Sequence, residues 1–317
     1  MVSTRVFLTL AACAANLTGE ASAQNYPERT VEIVVPSTPG ATADLLGRAL
    51  AEGLAQQLGQ RFIVTNKPGA NGVLGTTAVA QARPDGYTLL HSAAFALTVQ
   101  PLTDVAARYD YRSFDPICQT FKNDQVIVAH PDGPFKSAQD LITAAKAKPG
   151  GLSYGHPGKT TIPHLAMIEF SQMAKVEFNQ VPFKGPAEAI QMTHAGQIDF
   201  AVVPLSAAAA SGLRMPGLFA QSRNPSIADV PTMKEQGFDI APLSFGALVG
   251  PAGLAGNIKS KLVNACRSAT HSDRYVRLAR SAFHPKDYYG DAGTLASNLA
   301  RDAEEKRRLL ATLGLLK

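Results

Sequence analysis

A chain of 317 residues, 45% hydrophobic and 17% charged, carries enough apolar material for about two packed domains, which excludes a disordered polymer. No apolar stretch of roughly 18 residues follows the N-terminus, which excludes a polytopic membrane protein. The 30 Lys and Arg against 25 Asp and Glu give a net charge of +5; the excess is spread out and does not interleave with aromatics, so nucleic-acid binding is not indicated, while anions are attracted in general.

The first 23 residues read as an export signal. Arg5 supplies a positive charge, a short apolar region follows, and Ala21-Ser22-Ala23 gives the small-x-small cleavage pattern before Gln24. A second reading is a lipobox at Leu10-Ala11-Ala12-Cys13, with Cys13 as a lipidated N-terminus. Cleavage after Ala23 leaves Cys118 and Cys266, which can form a disulfide or stay as two buried thiols.

Val31-Glu-Ile-Val-Val35 is a β-branched strand broken by Pro36-Ser-Thr-Pro-Gly40. Residues 43–58 form a helix, because Leu46, Leu50, Leu54 and Leu58 recur on one face, and Gly59 ends it. A strand at 62–65, a helix at 72–82 and a strand at 87–90 continue the alternation. This β-α-β-α-β order predicts a parallel sheet with helices on its faces. The pattern restarts with strands at 125–129, 152–154, 177–181 and 198–203 and helices at 138–148, 162–173 and 187–195. Residues 258–316 read as mainly helical and pack back on an earlier sheet.

The usual catalytic signatures are missing. Gly155-His-Pro-Gly-Lys-Thr-Thr161 is not a P-loop, because Ser153 stands where the opening glycine is needed. Gly69-Ala-Asn-Gly-Val-Leu-Gly75 lacks the dinucleotide spacing. Neither a nucleophile elbow nor a zinc-binding His or Cys spacing occurs. No metal and no cofactor is expected.

Two loops stand out, residues 36–42 and 156–161. Both are rich in Gly, Ser, Thr and Pro and both lead from a strand into a helix. Such loops offer amides and hydroxyls at a helix N-terminus, where the dipole favours an anion. The plainer reading is that Thr42 and Thr161 cap their helices and that Asp44 compensates a helix dipole.

Seven motifs then fall in a recognisable order. They are Ile33-Val-Val-Pro36 with Pro39-Gly40, Asp44 and Arg48; Asn66-Lys-Pro-Gly-Ala70-Asn-Gly72; Pro84-Asp-Gly-Tyr-Thr-Leu89; Val181-Pro-Phe-Lys-Gly185; Gly196-Gln-Ile-Asp199; Asp229-Val-Pro-Thr232 with Glu235 and Gly237; and Pro251-Ala-Gly253. Together they resemble the periplasmic solute-binding receptors of tripartite tricarboxylate transporters, the Bug family. The likeness covers nearly the whole chain after the signal.

That resemblance implies a type II periplasmic-binding-protein fold, an α/β class with two α/β lobes and a ligand cleft between them. Residues 24–123 and 245–317 would form one lobe and 124–244 the other. It implies a small carboxylate held by amides, hydroxyls and water from the two loops. The candidate contacts on the first lobe are Ser37, Thr38, Gly40, Ala41, Thr42 and Ser92. On the second they are His156, Gly158, Thr160, Thr161, Phe183 and Lys184. The chain departs from the family at Ser37, Thr38 and Ala41, and at His156 and Thr160, where the family has Ser and Gly. A Thr at a Gly position restricts φ, so the second loop is expected to change shape. His156 either donates to a second carboxylate or packs at the lobe surface. His164 is structural, Phe183 forms an apolar wall, and Lys184 either attracts the anion or is a solvated lysine.

Three functions stay open on this reading. The first is a monomeric receptor that passes a di-, tri- or aromatic carboxylate to membrane permease subunits. The second is an exported α/β enzyme acting on a small acid, and the third a sensor for a membrane histidine kinase.

Overall fold

The structure is a computed structural model and describes residues 25–317. The export-signal reading of residues 1–23 and the lipobox reading at Cys13 fall outside the described residues. In chain order the first lobe builds β1 (Val31–Val35), α1 (Thr42–Leu58), β2 (Phe62–Asn66), α2 (Val73–Ala80), β3 (Thr88–Ala93), the short α3 (Phe95–Thr98) and α4 (Gln100–Thr103), and β4 (Phe114–Lys122). The second builds β5 (Gln125–Ala129), α5 (Ala138–Ala147), β6 (Ser153–His156), α6 (Ile162–Ala174), β7 (Asn179–Pro182), α7 (Pro186–His194), β8 (Phe200–Pro204), the short α8 (Leu205–Ala208) and β9 (Arg214–Phe219). The chain then returns through β10 (Phe245–Pro251) to α9 (Gly256–Thr270), α10 (Asp273–Ser281) and α11 (Ala292–Thr312).

The strands form two five-stranded sheets, ordered β2-β1-β3-β10-β4 and β7-β6-β8-β5-β9. In the first, β1 runs parallel to β2 and β3, and β10 lies antiparallel between β3 and β4. In the second, β6 runs parallel to β7 and β8, and β5 lies antiparallel between β8 and β9. The two sheets therefore share one topology. Each takes its antiparallel inner strand directly after a crossing from the other sheet. The expected parallel units are present, but each sheet is mixed, and β4, β9 and β10 are strands the sequence pattern does not reveal.

Packing follows the predicted faces. Leu46, Leu50 and Leu54 of α1 are fully buried with Ile33, Leu262 and Ala269 on one side of the first sheet. Val34, Leu90, Val249, Leu295 and Leu299 fill its other side. The second sheet has two such layers of its own, around Phe170 and Phe200 and around Val126 and Val203. A smaller cluster joins the lobes, with Val99 and Leu310 of the first against Ile162 and Leu165 of the second. Cys118 on β4 and Cys266 on α9 form a disulfide that closes 148 residues of sequence, the whole second lobe included.

Two boundary shifts matter for the site. Strand β3 continues to Ala93, so Ser92 is a strand residue. Strand β6 continues to His156, so that imidazole sits at the strand's last position and not in the loop.

Candidate functional site

The loop after β1 is held by one carboxylate. Asp44, 2% exposed, accepts from the Gly40 amide at 2.9 Å, from Arg48 at 3.2 Å and from Asn66 Nδ2 at 2.9 Å. Asn66 Nδ2 also donates to the Ser37 carbonyl at 3.0 Å. Burial by itself pushes the Asp44 carboxyl up, but the bonds from Arg48, Gly40 and Asn66, with the Arg48 charge, hold it below the ordinary carboxylate range. Asp44 is thus a brace whose acceptors face the loop. Gly40 has φ 84, a left-handed conformation that leaves its amide aimed at Asp44.

The capping expected of Thr42 is absent. Ala41 occupies the cap position of α1 and offers no side-chain acceptor. Thr42 is the first helical residue, and its hydroxyl donates to Ser206 Oγ of the second lobe at 3.2 Å. Ser206 in turn accepts from Asn123 Nδ2 at 3.0 Å, at the crossing between β4 and β5. Ser37 is half-buried, and its hydroxyl has no hydrogen-bond partner within the protein. Thr38 and Gly40 are exposed, and Ala41 and Thr42 half-buried. Ser92 is buried, and its hydroxyl donates to the Ala93 carbonyl at 3.0 Å.

The loop after β6 behaves the same way. Thr161 is the cap residue of α6, yet its hydroxyl donates backward to the Gly158 carbonyl at 2.8 Å and caps nothing. Helices α5, α10 and α11 are capped by Ser137, Ser272 and Asp291, whereas α2, α7 and α9 share the lack of a side-chain cap. The first-turn amides of α1 and α6 therefore lack the side-chain acceptors that α5, α10 and α11 have. Thr160 sits at φ 58, so the threonine at the family's glycine position adopts the left-handed conformation and does not reshape the loop around an ordinary φ.

His156 is fully buried and stacks on His164 with ring centroids 4.3 Å apart. Its Nδ1 lies 2.9 Å from the Gly158 carbonyl. A carbonyl only accepts, so Nδ1 carries the proton and Nε2 is a bare, buried lone pair without a partner in the protein. Burial, reinforced by His164, pushes the imidazole down to about 4. A protonated donor to a carboxylate is therefore not the state that this burial favours at neutral pH. Phe183 is half-buried against Gly155 at the edge of the second lobe's core, and Lys184 is exposed.

The loop after β6 meets the first lobe at the turn after β2, which itself packs on Pro36 through Gly72. A Cβ placed on Gly158 would lie 3.4 Å from Asn71 Oδ1 of the first lobe. Asn71 follows β2 and adopts φ 51 and ψ 33. Asn71, Ser206 and Asn123 lie beside the candidate loops, and reading the loops alone does not find them. The available signal was Asn71 itself, an asparagine where the family's turn has glycine. Among the described residues, no group of three or more His, Cys, Asp or Glu is placed to hold a metal. No helix among them is long and apolar enough to cross a membrane.

Two lobes of one topology, joined by crossing segments and carrying uncapped helix N-termini at the carboxyl ends of their strands, define a two-lobed solute-binding protein. The chain belongs to the tripartite tricarboxylate transporter family receptors, whose family model matches residues 46–315. The UPF0065 protein in the gbd 5' region of Cupriavidus necator is 32% identical over 306 residues, covering 96% of this chain and 93% of that protein. The periplasmic binding protein BugD superposes with a TM-score of 0.80 at 25% identity, over 92% of this chain and 100% of that one. Rpa4515 of Rhodopseudomonas palustris, solved with adipate, superposes with a TM-score of 0.82 at 24% identity, over 91% and 98% of the two chains. MatC (Rpa3494) from the same organism, solved with malate, gives 0.80 at 23% identity, over 90% and 100%.

Proposed function

We propose that this protein is an extracytoplasmic receptor that closes its two lobes on a small carboxylate, with a dicarboxylate as the first choice, and hands it to a tripartite-type permease. The observation that carries this reading is the pair of strand-to-helix loops before α1 and α6, each of which lies against the other lobe and leads into a helix without a side-chain cap. Each offers amide donors and a positive dipole end, so a ligand with a carboxylate near each end would satisfy both. Malate and adipate, bound by two proteins of the same fold, are both dicarboxylates.

In this reading Ser37, Thr38, Gly40, Ala41 and Thr42 hold one carboxylate, and Gly158, Thr160 and Thr161 the other. Ser92, His156 and Phe183 shape the floor. Lys184 draws the anion in from the rim and contributes to association rate more than to affinity. The lobes are residues 24–123 with 245–317, and 124–244.

A thermal-shift screen tests this. The panel is adipate, malate, citrate and benzoate, each beside its neutral amide. An acid at about 100 times its dissociation constant adds about 2.7 kcal/mol, which raises Tm by several degrees for a chain of this size. A shift with an acid and none with its amide is the expected result. No shift with any acid, and no acid released from denatured protein in a mass spectrum, would overturn the reading.

A further inference from the structure

The loop after β6 is held by two stacked imidazoles, and the neutral state is set at one by an accepted amide and at the other by a buried nitrogen with no partner. His164 Nδ1 accepts the Thr160 amide at 3.0 Å. His164 Nε2 lies 2.8 Å from Gln180 Oε1. Since Nδ1 accepts, Nε2 carries the proton and donates to Gln180. His156 Nδ1 donates to the Gly158 carbonyl at 2.9 Å, leaving Nε2 bare and buried. The two rings lie 4.3 Å apart and nearly parallel. Between them they fix the carbonyl of Gly158 and the amide of Thr160. Thr160, at φ 58, is a non-glycine residue in the left-handed region and needs that support, while Gly158, at φ 122, holds a conformation open to glycine.

We propose that His156 and His164 are positioning residues that hold the second-lobe loop in its ligand-binding conformation only while both rings are neutral, so that acid releases the loop. The proposal rests on this loop being a ligand contact, and it names how that contact is regulated.

A proton on His164 Nδ1 puts a donor against the Thr160 amide, which is itself a donor, and removes the support of the left-handed residue. A proton on His156 Nε2 enters a buried position with no acceptor and faces its stacked neighbour. The groups around the pair are Tyr154 on β6, Lys159 in the loop and Gln180 on β7. Lys159 repels a proton on either ring. Burial lowers both imidazoles, His156 to about 4. The ordered loop therefore binds fewer protons than the released loop. Opening becomes easier as pH falls from about 6.5, the free histidine value, toward the folded value.

The test is amide exchange of the ligand-free protein, so it reads the loop whether or not a carboxylate binds. Peptides covering residues 157–165 are followed from pH 7 to pH 5, after correction for the intrinsic pH dependence of exchange. Protection of this segment is expected to fall on the order of tenfold for one imidazole shifted to about 4. Peptides from β1 and β10 serve as the internal reference. In the variant H156N/H164N, asparagine keeps a donor and an acceptor near the two Nδ1 positions but does not titrate. Its protection is expected to be unchanged across the same range.

Equal acid loss in both proteins, or no loss in the wild type, would overturn the proposal. If the double variant does not fold, the Thr160 amide resonance of the wild type is followed instead. It is expected to move with the imidazole signals of His156 and His164, at midpoints below the ordinary histidine value. A Thr160 resonance that ignores both titrations would overturn the proposal equally. A failed carboxylate screen with a positive exchange result would remove the binding role and leave the acid-sensitive loop standing.

Discussion

A single carboxylate decides the geometry of the first-lobe loop. Asp44 binds the loop amide of Gly40, the strand-end side chain of Asn66 and the helical Arg48 at once. Asp44→Ala leaves the Asn66 Nδ2 and the Gly40 amide short of an acceptor, so it should cost about 2 kcal/mol in a urea titration. It should also loosen Ser37, whose carbonyl shares the Asn66 donor. Because the folded carboxyl is held below its ordinary range, its contribution is present above about pH 4 and is lost as pH falls through the folded value. In Asp44→Ala that acid dependence should disappear, which a pH series of urea midpoints reads directly. Gly158 makes the complementary point on the second lobe. At φ 122, and with a Cβ only 3.4 Å from Asn71 Oδ1, Gly158→Ala is strained whether the cleft is open or shut. Strain common to both states cancels in binding, so on the order of 1–2 kcal/mol should appear as lost stability in a urea titration, and calorimetric affinity for whichever acid the screen identifies should fall only as far as the Cβ–Asn71 contact resists closure.

At the scale of elements, the disulfide ties the edge strand β4 to α9 across an intervening stretch that contains the whole second lobe. Its 148-residue separation gives a loop-closure contribution of about 5 kcal/mol as an upper bound, and 2–4 is usual. The double variant Cys118→Ala, Cys266→Ala should lose that much in equilibrium denaturation, and the wild type should lose it when reduced. A change below about 1 kcal/mol would mean that packing alone holds α9 in place. The same region shows where sequence reading stops. Strands β1, β5 and β8 are β-branched runs, and their buried faces are legible as such. Strand β10 is not, because Gly246 and Gly250 leave room for the Phe121 ring and for Leu254, and a Cβ at either would collide with that neighbour. Strand β9 has Pro216 and Gly217, with the Met233 sulfur occupying the space above the glycine. In both, the side chains that complete the strand come from elsewhere in the chain, so no local pattern announces it. The site divides on the same line. The Gly, Ser, Thr and Pro content of the two loops marks them in the sequence. Ser206 and Asn123 come beside the first loop only because the lobes meet, and nothing near them in sequence says so.

The whole molecule answers to acid and to closure. His91 in the first lobe, His156 in the second and His284 at the lobe boundary are each pushed down to about 4, with burial as the leading cause. A depressed histidine contributes stability that is complete above the unfolded value of about 6.5 and is lost as pH falls toward about 4. Each such shift is worth on the order of 3 kcal/mol at its acid limit, so Tm should drop steeply between pH 6.5 and 4. A flat Tm over that range would contradict the buried neutral state of all three. Closure has its own apolar term. Leu310 of α11 is fully buried and clusters with Val99, Ile162 and Leu165, so one lobe's C-terminal helix rests on the first turn of the other lobe's α6. That contact stabilises the described arrangement of the lobes before any ligand arrives, and a ligand then shifts the equilibrium only by its differential affinity. Leu310→Ala removes about 2–3 kcal/mol of packing, part of it interlobe, and should raise the fraction of open molecules. Small-angle scattering of the ligand-free variant should then show a larger radius of gyration than the wild type, and a saturating acid should bring the two together. Identical radii without ligand, with the stability loss intact, would place the whole effect of Leu310 inside the first lobe and leave closure to the Thr42–Ser206 contact and the ligand.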